Sequence, residues 1–218
     1  LGKEMVGSLK LRINSSGQRQ VIISYGEELN ADGSVKYKLR TGNVYREVWT
    51  LKSGYQDLQD TGMKTYRYVQ IDQCPVNLTA DMISGLAVRQ EFSDSESGFN
   101  SSNRILNDLY GMTKYTIKAS NQDLYVDSQS RERAAYEGDI LINMLSSYTF
   151  EDDYSLARHS LDYTANNPTW PAEYPLFCIM GAWQDYLYTG DRAFLEEHYD
   201  LLAGKLYESC YDSSLGLV

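Results

Sequence analysis

The sequence has only three cysteines, four prolines, five phenylalanines and two histidines in 218 residues. Cys74, Cys178 and Cys210 are odd in number, far apart and in no metal spacing, which excludes a disulfide framework and leaves scattered thiols. His159 and His198 each stand alone within helical patterns, so neither a zinc site nor a histidine-based catalytic cluster is expected. No cofactor is expected either. No run of about eighteen apolar residues occurs, so no membrane-spanning helix and no membrane partner are expected. Positive charge is also short. The formal net charge of −10 repels phosphate backbones, so nucleic acid is not an expected partner.

What the chain does have is an ordinary globular stock, 42% hydrophobic and 23% charged, with length enough for one large domain or two small ones. Its aromatics are biased toward rings with a polar handle: 19 Tyr and 3 Trp. Such rings suit sites that are partly apolar and partly wet, sugar-binding clefts among them. The chain opens on "LGKEMVGSLKLRI", without an initiator Met or a secretory signal pattern, and closes on "YDSSLGLV" directly after a helical pattern. The expectation is a piece of a longer protein, with the rest of its own chain as a missing partner.

Two periods divide the sequence. Up to residue 92 it reads as strands. Leu9, Leu11 and Ile13 alternate with Lys10, Arg12 and Asn14, and Val21 and Ile23 continue the alternation after "SSGQ". Asp32-Gly33 marks a tight turn. "YREVWTLK" (45–52), "YRYVQI" (66–71) and "ISGLAVRQEF" (83–92) are further strand-like runs. From 93 to 218 the period is helical. Ile105, Leu109, Met112 and Thr116 share one face, with Ser101 or Ser102 as N-cap. Ile140, Leu141, Met144, Leu145 and Tyr148 form a second stripe with Asp139 as its N-cap. Further helices are expected over 153–165, within 175–188 and from Arg192 to Tyr211, with Gly190-Asp191 ending one and capping the next. Pro168, Pro171 and Pro175 fall together in a single loop. Strands followed by helices imply two domains, a β-sandwich over 1–92 and consecutive antiparallel helices over 93–218, either a small bundle or the first part of a helical toroid.

Between a tyrosine-rich segment and an apolar one lies "DSQSRERAAYEGD" (127–139), with Asp127, Glu132, Glu137 and Asp139 beside Arg131 and Arg133. Wound as one helix, these charges would spread around it rather than share a face. Ser128, Ser130 and Gly138 also argue for a loop that feeds the helix at Asp139, and loops on a helical scaffold are where catalytic groups collect. A carboxyl group acting as general acid must keep its proton at neutral pH, which neighbouring carboxylates or desolvation favour and a nearby arginine opposes. Adjacent residues of an extended loop point apart, so the arginines are candidates to pair with Asp127 or Asp139, leaving those carboxylates placed for sugar hydroxyls. The plain alternatives are an N-cap at Asp139 and surface charge at Arg131 and Arg133. The acids do not follow the alternating spacing of an EF-hand calcium loop.

"VDSQSRERAAYEGD" resembles the hallmark segment of the α-L-rhamnosidases of glycoside hydrolase family 78: an aspartate, an arginine–glutamate pair, then an aromatic followed closely by Gly-Asp. "VIISYGEELNADGSVKY", "TYRYVQI", "FNSSNRILNDLY" and "PTWPAEYPLFCIMGAWQDYLYTGD" resemble further family segments in the same order, so the likeness runs along essentially the whole chain. It implies a β-sandwich followed by the N-terminal part of an (α/α)6 barrel, and hydrolysis of terminal α-L-rhamnosides with inversion. By position, Glu132 is implied as the general acid. Asp127 and Asp139 are implied as the carboxylates that hold the sugar, with Arg131 ordering them. Tyr136 stands where the family usually has tryptophan, and Ser128-Gln129-Ser130 replaces the commoner Cys-Pro-Gln. Trp170 and Glu173, in the proline-rich loop, are candidates for lining the pocket, against a packed tryptophan and a surface glutamate.

The implied partner is a rhamnose-containing glycan or glycoside, and the compartment is left open among bacterial cytoplasm, periplasm and secretion. Inversion needs a second carboxylate about 6.5–9.5 Å from the acid. The family's base is a glutamate in a later helical segment, and nothing in this chain matches it, so the base is expected outside the chain. The alternatives are another inverting glycosidase on a helical toroid, or a carbohydrate-binding module without the chemistry.

Overall fold

The computed structural model describes residues 1–217. The chain separates into two compact units: Leu1–Arg89 with Ser128–Glu132, and Gln90–Asp127 with Arg133 onward. A short piece of the charged segment thus belongs to the strand unit, although the chain around it belongs to the helical one.

The strand unit contains β1 (Met5–Ser15), β2 (Arg19–Gly26), β3 (Arg46–Leu51), β4 (Gly54–Gln59), β5 (Lys64–Tyr66), β6 (Tyr68–Asp72) and β7 (Ile83–Ala87). One sheet is built on β1, which pairs antiparallel with β4, β5 and β7; the other runs β3-β2-β6, also antiparallel. Period-2 alternation turns Leu9, Leu11 and Ile13 of the first sheet and Val21, Ile23 and Tyr25 of the second into one shared core, closed by Leu51 and Tyr66. The strand β4 carries no apolar run. Its sequence "GYQDLQ" becomes a strand by its register with β1, Gln59 opposite Lys10 through Gly54 opposite Ser15.

Between β2 and β3 the chain makes two small turns. The first is closed by the Gly33 amide on the Asn30 carbonyl, with Gly33 in the left-handed region at φ 83° and the Asp32 carboxylate accepting from the Ser34 amide. In the second, the Leu39 amide donates to the Asn43 carbonyl. Tyr45 follows at once, its amide donating to the Tyr37 carbonyl at 2.8 Å and its carbonyl accepting from the Tyr25 amide at 2.9 Å.

The helical unit contains α1 (Arg104–Ser120), α2 (Glu137–Ser147), α3 (Ser155–Asn166), α4 (Pro175–Thr189) and α5 (Ala193–Ala203). The helix α4 packs against α2, α3 and α5. The core is the expected stripe of α2 (Ile140, Leu141, Met144, Tyr148) with Leu156, Ala157 and Leu161 of α3, Cys178 and Ala182 of α4, and Phe194 and Leu202 of α5. Proline at the start of α4 and left-handed Gly190 (φ 69°) at its end set its limits, and the Asp191 carboxylate accepts from the Ala193 amide as α5 begins.

Three expectations are corrected. The N-cap of α1 is Asn103, whose side chain accepts from the Ile105 amide, not Ser101 or Ser102. The Ile105, Leu109 and Met112 stripe is exposed (75%, 50% and 62%), and the buried residue of α1 is Ile117. The fifth helix stops at Ala203 with Gly204 as C-cap, and a 3-10 turn at Glu208–Cys210 follows; glycine lowers helix propensity where the residues beyond it are mostly exposed. Among the described residues, no helix is long and apolar enough to cross a membrane.

Candidate active site

The charged segment is irregular through Tyr136 and becomes helical at Glu137. Its loop is closed at the base by a reciprocal pair. The Asp127 amide donates to the Ala134 carbonyl at 2.9 Å, and the Ala134 amide donates to Asp127 Oδ1 at 3.1 Å. Asp127 therefore commits one carboxylate oxygen to shaping the loop. Arg133, just before Ala134, sits in the left-handed region at φ 54°, a conformation a side-chain-bearing residue adopts at some cost and one associated with functional loops.

Residues 129–132 form a turn. Within the strand unit, the turn is gripped by side chains from the second β2–β3 turn. Tyr45 Oη donates to the Ser130 carbonyl at 2.7 Å, while Asn43 Nδ2 donates to the Ser130 and Arg131 carbonyls at 3.1 and 3.0 Å. The next residue is Glu132. Its carboxylate lies 3.6 Å from Arg131 Nη2, both side chains being about half exposed (48% and 49%). The expectation that neighbours on this loop point apart fails here, because a turn rather than an extended strand carries them.

In the helical unit, α2 starts three residues earlier than expected. Its N-cap is Tyr136, without a side-chain capping bond, so Asp139 is a first-turn acid and not the cap. Glu137 and Asp139 both fall where the helix dipole favours negative charge. Asp139 is half buried and Glu137 fully so. The Glu137 carboxylate accepts from the amide and the hydroxyl of Thr169 in the proline-rich loop. Gly138 is tightly enclosed: a Cβ there would come within 3.3 Å of the Phe177 ring and 3.4 Å of Tyr174. Tyr136 meets Tyr174 edge to face at 6.2 Å, and Tyr174 meets Phe177 at 5.5 Å. Segment 136–138 and the loop leading into α4 are thus packed together. Trp170, next to Thr169, is 84% exposed, which removes the packed-tryptophan alternative; Glu173 is exposed as well.

The structure accordingly brings Arg131 and Glu132 together in the strand unit, and places Asp127, Tyr136, Asp139 and Trp170 in the helical unit. Sequence reasoning missed Asn43 and Tyr45, which lie 85 to 88 positions from their partners and carry no local signal. It also left Glu137 without a role. Among the described residues, no group of three or more His, Cys, Asp or Glu is arranged to hold a metal ion.

Two family models match this chain. Residues 1–89 match the bacterial alpha-L-rhamnosidase concanavalin-like domain, and residues 94–206 match the bacterial alpha-L-rhamnosidase 6 hairpin glycosidase domain. An alpha-L-rhamnosidase of Streptomyces avermitilis is 24% identical over 166 residues, covering 74% of this chain and 16% of that protein. Among solved structures, the alpha-L-rhamnosidase from Dictyoglumus thermophilum aligns over 97% of this chain and 27% of its own, with a TM-score of 0.83 and 22% identity. The Streptomyces avermitilis alpha-L-rhamnosidase complexed with L-rhamnose aligns over 98% of this chain and 23% of its own, with a TM-score of 0.79 and 20% identity. The chain therefore spans about a quarter or less of the length of these relatives.

Proposed function

This chain belongs to the bacterial α-L-rhamnosidases of glycoside hydrolase family 78, a concanavalin-like strand domain followed by part of the helical glycosidase domain, and from that premise we propose that it carries the acid half of an inverting rhamnosidase active site. The substrate is a terminal α-L-rhamnoside of a glycan or small glycoside. Glu132 is the general acid: its carboxyl proton passes to the glycosidic oxygen as the bond to the anomeric carbon breaks. A carboxylate base from outside this chain takes a proton from the water that attacks the opposite face of the sugar, so the product forms with inverted configuration. Asp127 and Asp139 accept hydrogen bonds from sugar hydroxyls, Arg131 orders the acidic group, and Tyr136 and Trp170 offer aromatic faces to the apolar side of the ring.

The observation that carries this reading is the placement of Glu132, a half-exposed acidic side chain that directly follows two backbone carbonyls held by Tyr45 and Asn43. A general acid needs both access to the leaving oxygen and a fixed place from which to reach it.

The test uses the full-length protein on a panel of nitrophenyl glycosides, with the first-formed product anomer read by NMR. Preference for the α-L-rhamnoside and an inverted product are expected. Glu132→Gln is expected to lower kcat on an unactivated rhamnoside by about a hundredfold or more. A preference for another sugar would favour a different toroid glycosidase, and an indifferent Glu132→Gln variant would favour a binding module. The isolated 218 residues are expected to show no meaningful turnover; clear hydrolysis by them would overturn the external base.

A further inference from the structure

We infer that Asn43 and Tyr45, in the strand unit, are positioning residues for Glu132, so that the concanavalin-like domain helps to aim the acid. The inference rests on the reading of Glu132 as general acid. Three hydrogen bonds from two side chains converge on two consecutive carbonyls, those of Ser130 and Arg131, at 2.7 to 3.1 Å. The Arg131 carbonyl lies in the same rigid peptide plane as the Glu132 nitrogen. Holding that oxygen therefore holds the plane from which the Glu132 side chain projects, leaving its own φ and side-chain torsions as the remaining freedoms.

The grip has a firm origin. Tyr45 is tied through its own amide and carbonyl to Tyr37 and Tyr25, and Tyr25 is a fully buried residue of β2. The Asn43 carbonyl closes its turn with the Leu39 amide, and Lys38 and Val44 pair across that turn. The Asn43 amide bridges both target carbonyls, which no hydrophobic residue at that position would do. A half-exposed turn anchored only by its own bonds would sample many orientations. Anchored to a sheet strand's neighbour, it samples few, and an acid displaced by about 1 Å can lose on the order of a hundredfold in rate.

The experiment compares two substrates in the full-length enzyme. A 2,4-dinitrophenyl α-L-rhamnoside has a leaving group that departs without a proton, whereas a methyl α-L-rhamnoside needs the acid. Tyr45→Phe, Asn43→Ala and the double variant are expected to lower kcat on the methyl rhamnoside by about tenfold each singly and about a hundredfold together. On the dinitrophenyl substrate, kcat is expected to stay within about twofold, with KM unchanged on both. Equal losses on the two substrates, or no loss on either, would overturn the positioning role. The arm that separates the two readings is Glu132→Gln. If it shows the same leaving-group split while the Tyr45 and Asn43 variants do not, only this inference fails. If Glu132→Gln itself shows no split, the acid assignment fails and this inference with it.

Discussion

The Glu137 carboxylate, 1% exposed at the first turn of α2, accepts a hydrogen bond from the Thr169 amide at 2.9 Å and another from the Thr169 hydroxyl. A buried acid is costly unless its lone pairs are met, and here two donors from one residue meet them alongside the helix N-terminus. This bond fastens the proline-rich loop to the segment that carries Tyr136 and Asp139. Glu137→Ala strands both donors of Thr169 and is expected to cost about 3 kcal/mol in urea unfolding. Glu137→Gln keeps an acceptor and is expected to cost less. Thr169→Val removes only the hydroxyl and is expected to fall below Glu137→Ala.

Trp170 sits one residue from that anchor with its ring 84% exposed. Little burial is lost when it is removed, so Trp170→Ala is expected to move the unfolding free energy by no more than about 0.5 kcal/mol. In the full-length enzyme the same change is expected to raise KM for a rhamnoside several-fold. An unchanged KM, with stability also unchanged, would remove Trp170 from the substrate-binding set.

Asp185 is a buried acid of the helical unit met by two partners. It is 1% exposed, accepts from Tyr148 Oη at 3.1 Å, and has Arg158 Nε at 3.1 and 3.0 Å from its two oxygens. The same guanidinium also reaches Asp191 at 2.8 Å and Thr189 at 3.0 Å. One arginine thus joins α3 to the end of α4 and the turn after it. Asp185→Ala, which leaves Arg158 and Tyr148 facing a void, is expected to cost about 3–5 kcal/mol. Arg158→Lys is expected to be damaging too, because an ammonium cannot span the same partners. Denaturant midpoints would rank the three proteins.

Burial, and then the charges of Asp153, Glu96 and Asp152, push the Glu151 carboxyl from its usual 4.5 up to about 7. A raised folded-state value means that the native protein holds this proton more tightly than the unfolded chain does. The contribution of Glu151 to stability is therefore greatest below pH 4.5 and is lost as pH rises through 7. Glu151→Gln is expected to flatten that part of the stability profile and to raise the melting temperature at pH 8. An unaltered profile between pH 4.5 and 7 would mean that the group does not titrate there.

Most of the secondary structure was legible because its signals are local. The alternation of Leu9, Leu11 and Ile13 specifies a strand with one face inward wherever that strand packs. The stripe from Ile140 to Tyr148 and the Gly190 stop act within a few residues of themselves. The motif at 127–139 also marked the right segment as a loop feeding a helix. The N-cap of α2 was misread for a physical reason. Asp is the better cap by local chemistry, yet Glu137 has a distant partner in Thr169, and the helix begins where that carboxylate is held rather than three residues later.

What the sequence by itself determined is therefore the pair of periods, the Asp32-Gly33 turn, the Gly190 helix stop and the residue types gathered between Asp127 and Asp139. These depend on neighbours within one or two helical turns or across one strand pleat. Only the tertiary structure decided that β4 is a strand, that Glu137 is buried, and that Asn43 and Tyr45 hold the carbonyls before Glu132. Each of these is a hydrogen-bond pairing between residues separated along the chain by 32 to 88 positions. Such partners leave no periodic trace in the sequence, because a backbone carbonyl looks the same whatever side chain it belongs to.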